Sequence, residues 1–301
     1  MDNNLLNPDN EKILKTGRQR LPEWIRVKAH AGTGRKKVTE ILKEKGLHTV
    51  CESAKCPNLG ECWHKQTATF MILGDICTRN CQFCAVKHGE PGKIDENEPE
   101  KVAKAVKEMN LKYAVVTSVT RDDLCDGGAS IFAETIKKIR EYNPDKTLVE
   151  VLTPDFDGNL DALKIVLDAK PTVFNHNIET VKRLSKEIRL HADYDKSLYV
   201  LKKAVEISAG KIPVKSGIMV GMGESDEEVI QSLNDLRDVG VSILTIGQYL
   251  PPNSKKWKLK RYVHPDIFEQ WKKYALSIGF KHVASSPLVR SSYCAEELLE
   301  N

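Results

Sequence analysis

The sequence contains no apolar run approaching the ~18 residues that a membrane-spanning helix needs. Its start, MDNNLLNPDNEK, lacks the basic-then-apolar layout of a secretory leader. Both absences predict a cytoplasmic protein without a membrane partner. A marked excess of either charge is missing too. The 46 basic and 42 acidic residues leave a net charge of +4, too small to argue for a nucleic-acid partner. Aromatic residues make up only 6%, and no stacking cluster accompanies the basic segments, as a single-strand binder would need. None of the eight histidines forms an HExxH pair, so zinc-hydrolase chemistry has no support.

What is present is a globular chain of 301 residues, 41% hydrophobic and 29% charged. Residues 1–66 read as an irregular, polar extension. Between positions 15 and 37 lie Lys15, Arg18, Arg20, Arg26, Lys28, Arg35, Lys36 and Lys37, opposed only by Glu23. This arm is either a solvated surface or a dock for an acidic partner. Lys255, Lys256, Lys258, Lys260 and Arg261 form a second basic run, read as a solvated face.

From residue 67 the texture changes. Short β-branched runs at 67–73, 113–119, 147–152, 172–178, 214–222 and 243–250 lack period-two alternation, as strands buried on both faces do. Helical patterns at 99–109, 129–142, 159–168, 196–208, 226–239 and 265–278 fall between and after them. Six βα units in a row predict a parallel sheet. Pattern alone leaves an open doubly wound sheet and a partial barrel both standing. In either, ligands bind at the carboxyl ends of the strands.

Eight cysteines are many for a reducing compartment. Six fall into two triads. Cys51, Cys56 and Cys62 precede the first strand; Cys77, Cys81 and Cys84 follow it directly, in CTRNCQFC. Thiolates suit zinc, copper(I) and iron–sulfur clusters. Neither triad shows the paired spacing of a closed zinc site. Three cysteines on a 4Fe–4S cube leave one iron open for chemistry. Zinc remains an alternative, more so for the first triad.

Cys77-x3-Cys81-x2-Cys84 after the first strand of a βα series, with Phe83 before the last cysteine, resembles the signature of radical S-adenosylmethionine (SAM) enzymes. The upstream triad narrows the resemblance to the lipoyl synthase family. Further stretches match in order: 18–28, TSVTRDDLCDGGA (117–129), VEVLTPDF (149–156), NHNIETV (175–181), SGIMVGMGE (216–224), GQYLPP (247–252) and VRSSY (289–293). The likeness spans about residues 18 to 295.

The resemblance implies a partial (β/α)6 TIM-like barrel at 67–284. Extensions at 1–66 and 285–301 would carry an auxiliary iron–sulfur cluster. It implies a sulfurtransferase that inserts two sulfurs, at C6 and C8, into an octanoyl chain on a lysine of a lipoyl carrier domain. The cofactors would be S-adenosyl-L-methionine and two 4Fe–4S clusters. Cys77, Cys81 and Cys84 would hold the cluster that cleaves SAM. Cys51, Cys56 and Cys62 would hold the sacrificial sulfur donor, with a serine of RSSY as fourth ligand. Of Ser291 and Ser292, Ser292 is favoured; by itself the pair reads as a turn. SAM contacts are expected from Thr117, Ser118, Glu150, Asn175 and Asn177, and a close backbone approach to adenine from residues 221–223. Arg290 would position substrate or tail, though a surface salt bridge is the plainer reading. The implied partners are octanoylated carrier domains of 2-oxoacid dehydrogenases or the glycine-cleavage H protein, a low-potential donor such as flavodoxin or ferredoxin, and an iron–sulfur carrier protein. Cys125 and Cys294 depart from the family pattern. Cys125 reads as a spare thiol, and Cys294 as a rival ligand at most. Two readings compete: another radical SAM enzyme with an auxiliary cluster, and a zinc-stabilised nucleic-acid-binding module.

Overall fold

The β-branched runs form parallel strands because their side chains are buried on both faces. In the computed structural model, which describes residues 21–25, 33–53, 56, 58–64, 67–144 and 147–292, these strands are β1 (Thr67–Ile72), β2 (Tyr113–Ser118), β3 (Leu148–Leu152), β4 (Val173–Asn175), β5 (Val214–Val220) and β6 (Ile243–Gln248). A seventh, β7 (His282–Ser285), follows. Its four residues are mostly half-buried, too short and mixed a run to stand out in the sequence. Every adjacent pair is parallel, and the order follows the chain from β1 to β7. A doubly wound sheet reverses its order midway; this one does not, so the architecture is a TIM-like partial barrel. It is not closed. The outer edge of β1 pairs instead with an antiparallel two-residue strand, His48–Thr49.

The crossover helices begin where the sequence supplies caps. Asn159 accepts from the N–H groups of Asp161 and Ala162 to start Leu160–Asp168. Ser225 and Glu228 form a capping box before Asp226–Asp238. Asp193 caps Tyr194–Ile207 through the N–H of Lys196. A preceding helix, Lys182–Ile188, is only seven residues long, below the length at which periodicity is readable.

Residues 1–66 are not wholly irregular. A helix spans Thr33–Lys45, and short helices span Val50–Ser53 and Leu59–His64. Ile41 and Leu42 are buried in the common core. Most of the basic arm, including Lys15 to Arg20, Arg26 and Lys28, lies outside the described residues, as do Tyr293 and Cys294. Among the described residues no helix is long and apolar enough to cross a membrane.

The barrel interior carries a buried ion pair. Both carboxylate oxygens of Glu150 on β3 lie 3.0 Å from Lys215 Nζ on β5. The Tyr113 hydroxyl donates to the same carboxylate at 2.7 Å, and Asn175 Nδ2 at 2.8 Å. The oxygens of Glu150, from which a SAM contact was expected, are thus taken up inside the barrel. Breaking such a pair leaves an uncompensated buried charge, at a cost of about 3–5 kcal/mol. Lys215→Met alone should lose about that much in urea denaturation, and adding Glu150→Gln should restore much of it.

Candidate active site

The loop after β1 carries the second triad to the carboxyl ends of the strands. Cys77 closes a two-residue strand, Ile76–Cys77, paired in parallel with Lys87–His88. This ladder pinches the cysteine segment into a lap. Arg79, inside the lap, anchors it: its guanidinium grips Asp122, after β2, and Asp155, after β3, at 2.7 Å each. Gln82 N–H donates to the Ile188 carbonyl, and the Trp257 N–H to the Gln82 carbonyl. Lys256 Nζ reaches Asn80 Oδ1 and the Cys81 carbonyl. Lys256 is thus no solvated-face residue; it ties the cysteine lap to the segment after β6. Arg261 likewise pairs with Asp226.

Beneath the lap is a cavity of ≈ 240 Å³. Cys77, Cys81 and Cys84 line it, with Phe83, Thr117, Ser118 and Asn177. Thr117 donates to the Leu152 carbonyl at 2.8 Å. Glu150 and Asn175 do not line it. Residues that sequence reasoning passed over do: Arg79, Thr153, Asp155, His176, Glu179 and Arg189. Two of them, His176 and Glu179, stand in NHNIETV, where only the asparagines drew notice. Arg79 stands in the spacing between Cys77 and Cys81. The N–H groups of Gly221, Met222 and Gly223 all donate to the Glu224 carboxylate, at 2.6, 2.8 and 3.1 Å. They are thus occupied rather than offered to an adenine.

Two observations bear on what the cavity holds. First, burial disfavours the thiolate form of two of the three cysteines. Burial and the neighbouring Cys84 push Cys81 up to about 12, and burial raises Cys84. Neutral thiols become thiolates when a metal replaces their protons. Amide N–H groups of Arg79 and Thr120 already point at Cys77 Sγ, at 3.4 and 3.3 Å. Second, Ser118 Oγ, Thr153 Oγ1 and Asn177 Oδ1 are buried without a partner among the described residues. Orphaned polar atoms of this kind want a polar ligand. The donor set fits a three-thiolate cluster beside a polar small molecule.

The first triad adjoins this pocket. Cys51 is buried in the helix Val50–Ser53, and Val50 beside it lines the cavity. The Cys56 N–H donates to the Cys51 carbonyl, and the Cys62 N–H to that of Asn58. Burial, then the charge of Cys56, raises the Cys51 thiol. No disulfide joins any described cysteine, and Cys125 is exposed, in keeping with a spare thiol. Among the described residues, no three His, Cys, Asp or Glu side chains converge on one metal ion.

The segment 287–292 lies against both sites. The Pro287 carbonyl accepts from the Gln248 N–H, and the Leu288 carbonyl accepts from Asn58 Nδ2 at 2.6 Å. Asn177 Nδ2 donates to Ser291 Oγ at 2.7 Å. Ser292 is half-buried in the turn that follows. A Cβ on Gly247 would collide with the Val289 carbonyl, so β6 approaches this segment backbone to backbone.

A three-cysteine lap at the mouth of a parallel partial barrel defines a radical SAM enzyme. Residues 71–236 match the family model described as the Radical SAM superfamily. Solved structures share the fold at low identity. Methylornithine synthase has a TM-score of 0.54 at 13% identity, covering 91% of this chain and 85% of that one. The FeFe-hydrogenase maturase HydG from Carboxydothermus hydrogenoformans has a TM-score of 0.55 at 13% identity, covering 87% and 77%.

Within that class, the chain belongs to the lipoyl synthase family. Residues 4–56 match the model of the N-terminal domain of lipoyl synthase. The chain is 55% identical to a lipoyl synthase of Caldicellulosiruptor saccharolyticus over 92% of its length and 96% of that protein's. It is 54% identical to one of Chloroflexus aggregans, over 93% and 91%. It is an enzyme, a sulfurtransferase, and its cofactors are SAM and 4Fe–4S clusters, an auxiliary one among them.

Two buried groups set the acid response of this site. Burial, then the Arg189 charge, lowers His176 from 6.5 to about 4. Its ring lies between the Thr153 carbonyl and Ser197 Oγ. Burial works against ionised Asp155, but Arg79 outweighs it and holds the carboxyl at about 2, below the usual 3.8. Both folded values are depressed, so each contribution is present above the unfolded value and lost as pH falls through the folded one. In calorimetry of cluster-free protein, His176 should contribute a loss of about 3 kcal/mol between pH 6.5 and 4, and Asp155 about 2 kcal/mol between 3.8 and 2. His176→Gln should erase the first window and Asp155→Asn the second.

Proposed function

We propose that the chain inserts two sulfur atoms, at C6 and C8, into an octanoyl chain carried on a lysine of a lipoyl carrier domain. In this reading 67–284 is the catalytic barrel, and 1–66 and 285–301 are extensions that hold the auxiliary cluster. Cys77, Cys81 and Cys84 hold the SAM-cleaving cluster; Cys51, Cys56 and Cys62 hold the auxiliary one, completed by Ser292. The observation that carries the reading is the meeting of all three lap cysteines with orphaned polar atoms in one cavity, directly beside the first triad. When bound, the clusters and SAM supply the electron, the 5′-deoxyadenosyl radical that takes hydrogen from unactivated carbon, and the sulfur.

The protein's own work is placement. Arg79 fixes the lap through two carboxylates on neighbouring strand ends. Ser118, Thr153 and Asn177 offer the unsatisfied atoms that would bind the polar part of SAM. Glu179, at φ 65° and 3.2 Å from Asn177 Nδ2, helps fix the amide of Asn177. Ser291 is engaged by Asn177, which leaves Ser292 for the auxiliary site. A serine alkoxide holds iron less firmly than a thiolate does, which suits a cluster that must come apart. The reading extends to cytoplasmic partners: octanoylated domains of 2-oxoacid dehydrogenases or the glycine-cleavage H protein, a flavodoxin or ferredoxin, and an iron–sulfur carrier that replaces the spent cluster.

The test is an anaerobic single turnover of reconstituted protein with SAM, a reductant and an octanoyl-lysine peptide, read by mass spectrometry. Two sulfurs should be gained and 5′-deoxyadenosine formed. Cys56→Ala should abolish sulfur insertion while still forming 5′-deoxyadenosine, and Cys81→Ala should abolish both. A peptide left unmodified while 5′-deoxyadenosine accumulates would mean a different substrate.

A further inference from the structure

The segment after β6 carries the cations Lys255, Lys256, Lys258, Lys260 and Arg261, and the structure sorts them into two groups. Lys256 turns to the cysteine lap, where its Nζ reaches Asn80 Oδ1 and the Cys81 carbonyl. Arg261 pairs with Asp226. Lys255, Lys258 and Lys260 are exposed. Among the described residues, no carboxylate forms an ion pair with any of these three.

The three lysines do not ride on a loose loop. The Trp257 N–H donates to the Gln82 carbonyl of the lap, and its indole N–H to the Met222 carbonyl at 2.9 Å. The Tyr249 hydroxyl donates to the Trp257 carbonyl at 2.8 Å. The Lys260 N–H donates to the Gly221 carbonyl, just past β5, and Gln248 Nε2 donates to the Arg261 carbonyl. The backbone is therefore fastened to the lap on one side and to the carboxyl ends of β5 and β6 on the other. Lys255, Lys258 and Lys260 lie on the rim of the mouth that the lap occupies.

Nearby acids do not neutralise them. Asp75 faces Lys87, Asp122 faces Arg79, Asp123 faces Arg121 and Asp157 faces Lys196. These carboxylates have cations of their own, so the three lysines are a surplus of positive charge. Like charges this close in sequence repel one another, and no contact within the fold offsets the repulsion. The cavity beneath the lap, at ≈ 240 Å³, is too small to admit a folded domain. A protein substrate stays outside, passes its acylated side chain inward and rests on the rim.

We propose that Lys255, Lys258 and Lys260 are the docking surface for the protein that carries the acyl lysine, and that this protein presents carboxylates around that lysine. The inference rests on the proposed function and adds the chemistry of the partner's surface to it. Rim charges act on the rate of encounter and on its salt dependence, over a Debye length of about 10 Å at 0.1 M salt. The lysines recruit the domain and take no part in the chemistry.

The test uses reconstituted full-length enzyme and three substrates: an octanoylated glycine-cleavage H protein, an octanoyl-lysine peptide flanked by glutamates, and the same peptide flanked by glutamines. The variant carries Lys255→Glu, Lys258→Glu and Lys260→Glu and keeps Lys256. At low salt its KM for the H protein and for the glutamate peptide should rise roughly tenfold, with kcat unchanged. Its KM for the glutamine peptide should not move. In the wild type, kcat/KM for the H protein should fall as salt is raised; in the variant that dependence should vanish or reverse. Calorimetry of H protein binding to cluster-free enzyme should show the same weakening. Equal losses on the two peptides, or no loss on the H protein, would overturn the proposal. So would binding of RNA or of anionic vesicles that the substitutions abolish while the KM for the H protein stays the same, since the rim would then serve another kind of partner. A wild-type enzyme that modified none of the three substrates would instead bring down the proposed function, and this surface's assignment with it.

Discussion

The structure depends on one constraint: three thiols must be held together at a barrel mouth, against their tendency to repel once ionised. Arg79 meets it. One guanidinium binds carboxylates that follow two adjacent strands, so the lap takes its position from the sheet rather than from its own short loop. A bidentate fork on each side suits arginine and not lysine. Everything described at the cavity follows from that placement. The cysteines face the strand ends, the hydroxyls of Ser118 and Thr153 face the cysteines, and the segments after β6 and after helix Lys182–Ile188 close over the lap.

The barrel below offers a rigid floor for this mouth. The Glu150–Lys215 pair with Tyr113 and Asn175 ties β2, β3, β4 and β5 together in the interior. A buried ionic cluster of this kind contributes more to a unique arrangement than to net stability. In a partial barrel, whose first and last strands do not pair, cross-strand ties of that sort hold the curvature that closure would otherwise impose.

The parallel βα series was readable in the sequence because buried strands write themselves as unbroken β-branched runs. The triads were readable because cysteine spacing is chemistry. What escaped had a physical reason. Strand β7 and helix Lys182–Ile188 are shorter than the period that reveals them. The helix Thr33–Lys45 is so polar that its pattern dissolves into the basic arm. The lysine partner of Glu150 was not legible, because an acid in a strand looks alike whether it points at a ligand or at a lysine 65 positions away. Arg79 and His176 are functional neighbours only in three dimensions. Their partners come from loops after other strands and, for His176, also from the helix Tyr194–Ile207, and no spacing rule records such meetings.

The bond between Asn58 and the Leu288 carbonyl joins positions 230 residues apart. Contacts that distant form late, because the chain between them must be ordered first. During synthesis the first triad emerges from the ribosome long before the segment that covers it. Its thiols therefore pass through an interval in which they are accessible to oxidants and to iron–sulfur donors alike. The same contact, once made, ends that interval and turns an open set of thiols into a partly covered one.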